Sequence, residues 1–248
     1  MTQPFAILMP WGRVGSNLVV GVLGEYGRIG IASEPTTQLQ TRYRDVPHGH
    51  FLTDRDQIAY LRAFPEVDAF GLPALRGRPA GMKLSHISLV SPYAAHAVLA
   101  ERGFRIVAMY RDNHIKTAIS QIRAEMRAYA GRKDAWSVSR KARPPGPMKV
   151  RVALALARAR TCARSAQQMR DYLAHFHPQG CLDIRYEELN AAPHDTIRRI
   201  ADHVGVALPA DFVLPYRKAT EDDLSLSVTN WEEVRAAFAD SEFAGLLD

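Results

Sequence analysis

The strongest constraint in this chain lies near its start. Residues 5–24 read FAILMPWGRVGSNLVVGVLG. An unbroken apolar stretch, Phe5 to Met9, gives way to a proline and two glycines, then to a serine followed by apolar residues at helical spacing. That order reads as a buried strand, a tight glycine loop and a helix N-terminus. The free N–H groups and partial positive charge of a helix N-terminus suit an anion. Gly12 and Gly15 let the backbone curl around it, and Ser16 and Asn17 add side-chain hydrogen bonds. Arg13 sets a permanent cation beside the bound group. A nucleoside-triphosphatase loop would carry Gly-Lys-Ser/Thr for its phosphates and magnesium. Here Asn17 follows Ser16 and no lysine precedes it. For the loop taken alone, a purely structural strand-to-helix turn is the other reading.

The rest of the chain repeats the alternation. Strands are expected in RIGIAS, ending at Ser33-Glu34, at Gly81–Leu84, over FRIVAMY (104–110), and over CLDIRY (181–186). Helices are expected from about Ser16 to Tyr26, over 54–64 with Asp54 as a cap, and after Ser91, with Pro92 at the first position. Further helices follow Asp112 or Asn113, to about Tyr129, and run over 150–175, PHDTIRRIADHVGV and WEEVRAAFA, the last capped by Asn230. Gly21 and Gly24 are expected to let the first helix pack closely on the sheet. Strands alternating with helices predict an α/β protein with a P-loop-like three-layer fold, a central mainly parallel sheet flanked by helices. Residues 1–248 form a single domain in this reading, with a basic flexible flap at about 131–149 and an irregular stretch, LPYRKATEDDLSLSVTN, before the last helix.

Composition narrows the class. Of 248 residues, 47% are hydrophobic and 23% charged, as in ordinary globular proteins. No apolar run nears the ~18 residues of a membrane span, and MTQPFAIL does not read as a secretion signal. Cys162 and Cys181 give no disulfide framework or metal knuckle, so a reducing cytoplasm is expected. His48 and His50 are too sparse for a metal site, and none is expected. The net charge of +6 concentrates between Arg123 and Arg170, opposed there by Glu125 and Asp134. Such a stripe suits an anionic membrane, an anionic small molecule or nucleic acid, or is simply a solvated helix face. Without a stacking pattern or helix-turn-helix spacing, nucleic acid is not expected.

A second block says more about the ligand. RIVAMYRDNHIKTAIS is a strand with Arg111 at its C-terminal end and Ser120 on the following helix. Ligands of open parallel sheets gather at the carboxyl ends of strands, so Arg111 and the Gly12–Asn17 loop are expected to face one crevice. A guanidinium there can grip a second, separate phosphate. Alone, Arg111 could instead pair with Asp112. Together the blocks resemble those of the sulfotransferases that use 3′-phosphoadenosine 5′-phosphosulfate. GRVGSNL resembles the family's loop for the 5′-phosphosulfate, and YRDNHIKTAIS its strand and helix for the 3′-phosphate. IRYEEL (184–189) is similar to the strand end near the adenine, and SVTNWEEVRAAF resembles the C-terminal helix of bacterial members. With QPFAILMP, the prolines near 144–148 and the short tail, the look is closest to nodulation-factor-like bacterial carbohydrate sulfotransferases. Residues 40–80 match poorly. Val14 replaces a hydroxyl residue of the relatives, and Trp11-Gly12 lengthens the turn by one.

The resemblance implies the chemistry. Sulfuryl transfer, like phosphoryl transfer, is an in-line attack with charge building on the leaving phosphate, so positioning and nearby cations carry catalysis. The implied cofactor is the phosphosulfate donor, without a metal, and the implied acceptor is a hydroxyl of a carbohydrate or glycolipid. Arg13 stabilises the leaving phosphate, or else makes a structural ion pair. Lys83, ending GMKL, matches a lysine that approaches the sulfuryl group, or else is an edge-strand lysine snorkelling to water. Two residues compete as general base. Glu34 matches a glutamate of the bacterial carbohydrate enzymes. His86 matches the Lys-x-His of cytosolic enzymes with one residue too many. Glu34 is preferred. The implied donor contacts are Gly12, Arg13, Val14, Gly15, Ser16 and Asn17 at the 5′ end and Arg111 and Ser120 at the 3′-phosphate. Tyr186 would stack on adenine, and Arg217 and Lys218 belong to a loop closing over the 3′-phosphate. The basic helix would guide the acceptor or sit near a membrane surface. Two other classes stay open. One is a small-molecule or nucleotide kinase with a degenerate loop, weakened by the missing Gly-Lys-Ser/Thr and magnesium aspartate. The other is a non-catalytic nucleotide-binding protein, for which Val14 leaves room.

Overall fold

The structure, a computed structural model, describes residues 3–34, 54–66, 80–132, 136–141, 145–178, 180–218 and 220–247. Strand β1 (Phe5–Met9) is buried along its length and leads through the glycine loop into α1 (Ser16–Tyr26) and β2 (Gly30–Ser33). Then come α2 (Asp54–Ala63), β3 (Ala80–Ser85), α3 (Pro92–Glu101), β4 (Arg105–Tyr110) and α4 (His114–Tyr129). The second half holds β5 (Val138–Ser139), α5 (Val152–Phe176), β6 (Cys181–Arg185), α6 (Tyr186–Ala191), α7 (Pro193–Val204), β7 (Tyr216–Arg217) and α8 (Trp231–Ala239).

Five strands form one sheet in the order β2-β3-β1-β4-β6, and every pairing in it is parallel. The expected α/β architecture is the observed one. A parallel sheet buries both faces, and the period-two alternation of strand side chains shows how. Ala6 and Leu8 join Met82, Leu84, Ile106 and Ala108 against α2, α3 and α5. Phe5, Ile7 and Met9 join Val107, Met109 and Ile184 against α1 and α7. A third cluster packs α4 on α5 and α8 through Ile119, Ala159 and Phe238. Strands β3 and β4 flank β1 on opposite sides, and such a switch in strand order opens a crevice at the carboxyl ends.

One local alternative is resolved and other expectations are corrected. Asn113, not Asp112, caps α4, its side chain accepting from Lys116 N at 2.8 Å. Asn230 stands before α8 but makes no cap bond. Its amide instead pairs both ways with the backbone of Val150, 2.9 Å each, satisfying polar groups that the packed interior would otherwise strand. A side chain at Gly21 would meet Pro215 and Tyr216, not the sheet, and one at Gly24 would meet nothing within 4 Å.

The flap is not loose throughout. Strand β5 pairs antiparallel with β7, Val138 is buried, and Met148 bridges Val228. The irregular stretch before α8 correspondingly contains β7 and a 3-10 turn at Leu224–Leu226. Nor is the basic stripe one continuous solvated face. Arg158 grips Glu125 with both terminal nitrogens, Arg160 pairs with Glu242, and Arg123 donates to the carbonyls of Pro145, Gly146 and Ser227. Among the described residues, no helix is long and apolar enough to cross a membrane. His48 and His50 lie outside the described residues.

Candidate active site

The carboxyl ends of all five parallel strands open into one cavity of about 970 Å³. Met9 ends β1, Glu34 follows β2, Ser85 ends β3, Arg111 follows β4 and Tyr186 follows β6, and each lines it. Thus the two motif blocks face one crevice, as the sequence predicts.

The glycine loop supplies Gly12, Arg13, Gly15, Ser16 and Asn17 to the cavity wall. Two of these residues adopt left-handed backbone, Arg13 at φ 66° and Gly15 at φ 81°. Gly15 is required there twice over, because a Cβ would also lie 2.5 Å from Leu189 Cδ2. At Arg13 the same backbone region costs a side-chain-bearing residue about 1–2 kcal/mol. Val14 is the exception. Its side chain is buried in the core with Met9, Val19 and Leu189. The expectation that it contacts a ligand is corrected to that extent, since an apolar branched side chain gains more from burial than from a polar wall.

Arg13 joins the blocks. Its Nε donates to Ser120 Oγ at 2.9 Å and a terminal nitrogen to the Trp136 carbonyl at 2.7 Å. Asn17 donates to Ser137 Oγ at 2.7 Å, and Thr220 Oγ1 lies 3.3 Å from Ser120 Oγ. Loop, helix α4 and flap therefore meet around one guanidinium. Arg111 is buried, lies 4.2 Å from the Tyr186 ring centroid, and its Nε has no hydrogen-bond partner. It does not pair with Asp112, whose carboxylate takes Arg185 and Arg170. Burial, then the neighbouring charge of Arg111, lowers the Arg13 pKa to about 10. Burial likewise lowers that of Arg111. Arg13 stays charged at neutral pH, and the mutual repulsion of two guanidinia is relieved by an anion bound at both.

Glu34 and Lys83 meet at 2.8 Å. Lys83 is buried and also donates to Asn17 Oδ1 at 2.5 Å. The snorkelling alternative fails, because β3 lies inside the sheet between β2 and β1. Lys83 sits behind Glu34 and Asn17, which form the wall. Glu34 has φ 49° and donates its backbone N–H to the Lys83 carbonyl.

His86 is corrected as a candidate base. His86 opens a 3-10 turn, His86–Ser88, directly after β3; with one residue too many in its motif it falls on the side of Met82 and Leu84, toward α3 and α5, and away from the cavity. Ser85 lines the cavity instead. His86 is buried among His96 and Tyr172, and burial lowers its pKa to about 4.

Tyr186 lines the cavity with one ring face under Arg111. Arg217 and Lys218 line it from β7 and just beyond, Lys218 paired with Asp222 at 2.5 Å. Wall residues not anticipated from the sequence include Trp11, Gln121, Glu125, Trp136, Ser137 and Thr220. Gln121 and Glu125 had a usable signal, lying four apart on one helix face beside Ser120. Trp136 and Ser137 had none, since their place depends on the pairing of β5 with β7.

Residues 97–210 match the model of the Sulfotransferase family, a stretch that takes in Arg111, Ser120 and Tyr186. The match falls on the stretch whose motifs resemble that family. Among solved structures, the chain is similar to a sulfotransferase from Alicyclobacillus acidocaldarius (17% identity, 100% of this chain and 95% of that one covered, TM-score 0.47). It is similar to the sulfotransferase domain of the curacin biosynthetic pathway (16%, 91% and 83%, 0.48). It is also similar to mouse sulfotransferase SULT7A1 complexed with PAP (11%, 100% and 87%, 0.47). No curated protein sequence matches the chain.

Proposed function

We propose that this chain is a sulfotransferase, and that it moves the sulfuryl group of 3′-phosphoadenosine 5′-phosphosulfate to a hydroxyl of a carbohydrate or glycolipid. One observation carries the reading: the 2.9 Å bond from Arg13 to Ser120, which joins the glycine loop to the Arg111 block at one cavity. The orphan Nε of buried Arg111 fits a phosphate, and the loop at the α1 N-terminus fits a second anion.

A bound donor supplies the sulfuryl group and a phosphate leaving group. Arg111 and Ser120 hold its 3′-phosphate, with Arg217 and Lys218 above. The α1 N-terminus holds the 5′ end. Arg13 neutralises the charge that develops on the leaving oxygen. As the acceptor oxygen bonds sulfur and the bond from sulfur to the phosphate oxygen breaks, Glu34 takes the acceptor's proton. Lys83 anchors Glu34 and Asn17 on the wall.

Thermal melting tests donor class. Adenosine 3′,5′-bisphosphate is expected to raise the melting temperature, since a ligand at 100 times its Kd adds about 2.7 kcal/mol of stability. Stabilisation by ATP with magnesium but not by the bisphosphate overturns the reading in favour of a kinase. Bisphosphate binding without transfer from labelled donor to any sugar marks a binding protein.

A further inference from the structure

One buried group on the cavity wall is the wrong polarity for the donor's phosphate and sulfonate oxygens. Gln121, on α4, is 4% exposed and lines the cavity, yet its Oε1 accepts no hydrogen bond. Its Nε2 faces Glu125 Oε1 at 3.4 Å. Glu125 is clamped by Arg158 at 2.7 and 3.1 Å, and Arg158 lies over the Trp11 ring, 4.4 Å from its centroid. An ionised carboxylate only accepts. This relay therefore fixes the amide with its NH2 toward Glu125 and its carbonyl oxygen toward the glycine loop. Gly12 leaves that oxygen uncovered, since a side chain there would begin 3.4 Å from it.

A buried carbonyl oxygen left unpaired is unfavourable, and it repels the oxygens of a phosphate or sulfonate. It fits a ligand that brings a hydroxyl. The nearby wall is apolar and aromatic: Trp11, Ala128, Tyr129 and Trp136, with Tyr129 91% and Trp136 45% exposed. Exposed aromatic surface of this kind suits an apolar partner. Arg158 is already taken by Glu125, so this part of the wall does not call for an anionic acceptor.

We propose that Gln121 Oε1 accepts a hydrogen bond from the acceptor substrate, and that this acceptor is an uncharged sugar ring bearing an apolar group, laid against Trp11 and Trp136. The inference rests on the sulfotransferase reading and narrows its acceptor. Gln121 binds and orients; Glu34 remains the base.

The probe is octyl β-D-glucoside, titrated below its micelle concentration into protein saturated with adenosine 3′,5′-bisphosphate and followed by tryptophan fluorescence. Octyl β-D-glucuronide is the charged counterpart. The glucoside is expected to bind more tightly than the glucuronide. Gln121→Met, which keeps side-chain volume, is expected to weaken glucoside binding about tenfold, the worth of one net hydrogen bond, with bisphosphate affinity unchanged. If that variant melts differently from the wild type, Gln121→Asn, which withdraws the oxygen by one bond, is expected to show the same selective loss. Weaker bisphosphate binding in a folded variant would mean that the oxygen serves the donor, and overturns the proposal. So does a wild type that prefers the glucuronide. A wild type that does not bind the bisphosphate overturns the donor reading beneath it.

Discussion

Glu34 is held from two directions by one lysine: the Lys83 carbonyl accepts its backbone N–H and the Lys83 ammonium pairs with its carboxylate. Its left-handed backbone, φ 49°, is the kind of strain that packed surroundings impose at functional positions. Glu34→Gln keeps the volume and removes the proposed base. Turnover at saturating donor is expected to fall 10²–10⁴-fold, with bisphosphate affinity within about twofold. His86→Ala is expected to leave turnover within a few-fold while lowering the melting temperature, because His86 packs with His96 and Tyr172. Near-normal turnover in Glu34→Gln would falsify the base assignment. At Gly15, alanine meets both φ 81° and the Leu189 contact at 2.5 Å, so Gly15→Ala is expected to cost at least about 1 kcal/mol, read from urea midpoints. Arg13, Arg111 and Ser120 were legible in sequence because their motifs fix which backbone ends they follow. Val14 and His86 were misread because a motif fixes spacing along the chain, not which face of loop or strand a side chain leaves.

At the scale of elements, the ribbon of β5 and β7 lies over the glycine loop through Trp136 and Ser137, which Arg13 and Asn17 hold. Two-stranded ribbons are marginal by themselves. A ligand touching both Arg13 and Arg217 is therefore expected to steady the ribbon. Amide exchange of residues 136–141 and 214–218 should slow on adding the bisphosphate, while α3, none of whose residues line the cavity, is unaffected. Val138→Asp buries a carboxylate at a fully enclosed position and is expected to weaken bisphosphate binding at least tenfold with the helical circular dichroism retained. Unchanged affinity would show that the ribbon is no part of the donor site. The long strands and helices were readable because apolar periodicity and caps are local signals. The ribbon was not, since each of its two-residue strands gains meaning only from a partner distant in sequence.

Across the whole molecule, the packing of α3 and α5 encloses His86, His96 and His177 with Tyr172 and Phe176. Both ring nitrogens of His96 lack partners. Burial lowers its pKa to about 3, aided by the charges of His86 and His177, and burial lowers that of His86 to about 4. In the unfolded chain these groups take protons near 6.5. Below that pH the unfolded state holds more protons than the native state, so stability is lost as pH falls from 6.5 toward about 4. The slope is up to about 1.4 kcal/mol per pH unit for each histidine. Melting temperatures between pH 7 and 4 should fall accordingly, and His96→Phe should flatten the curve; an unchanged slope would mean that the cluster already takes protons in the folded state. By itself the sequence determined the alternating elements, the parallel sheet and the two motif blocks that meet at one cavity, because hydrophobic period, glycine placement and strand-end cations act over a few residues. The tertiary structure alone decided that Ser85 and not His86 meets the cavity, that Arg13 reaches Ser120, and that Gln121 presents a bare oxygen. Each of those depends on the direction in which a side chain leaves its element and on groups the chain returns to that spot from far along its length.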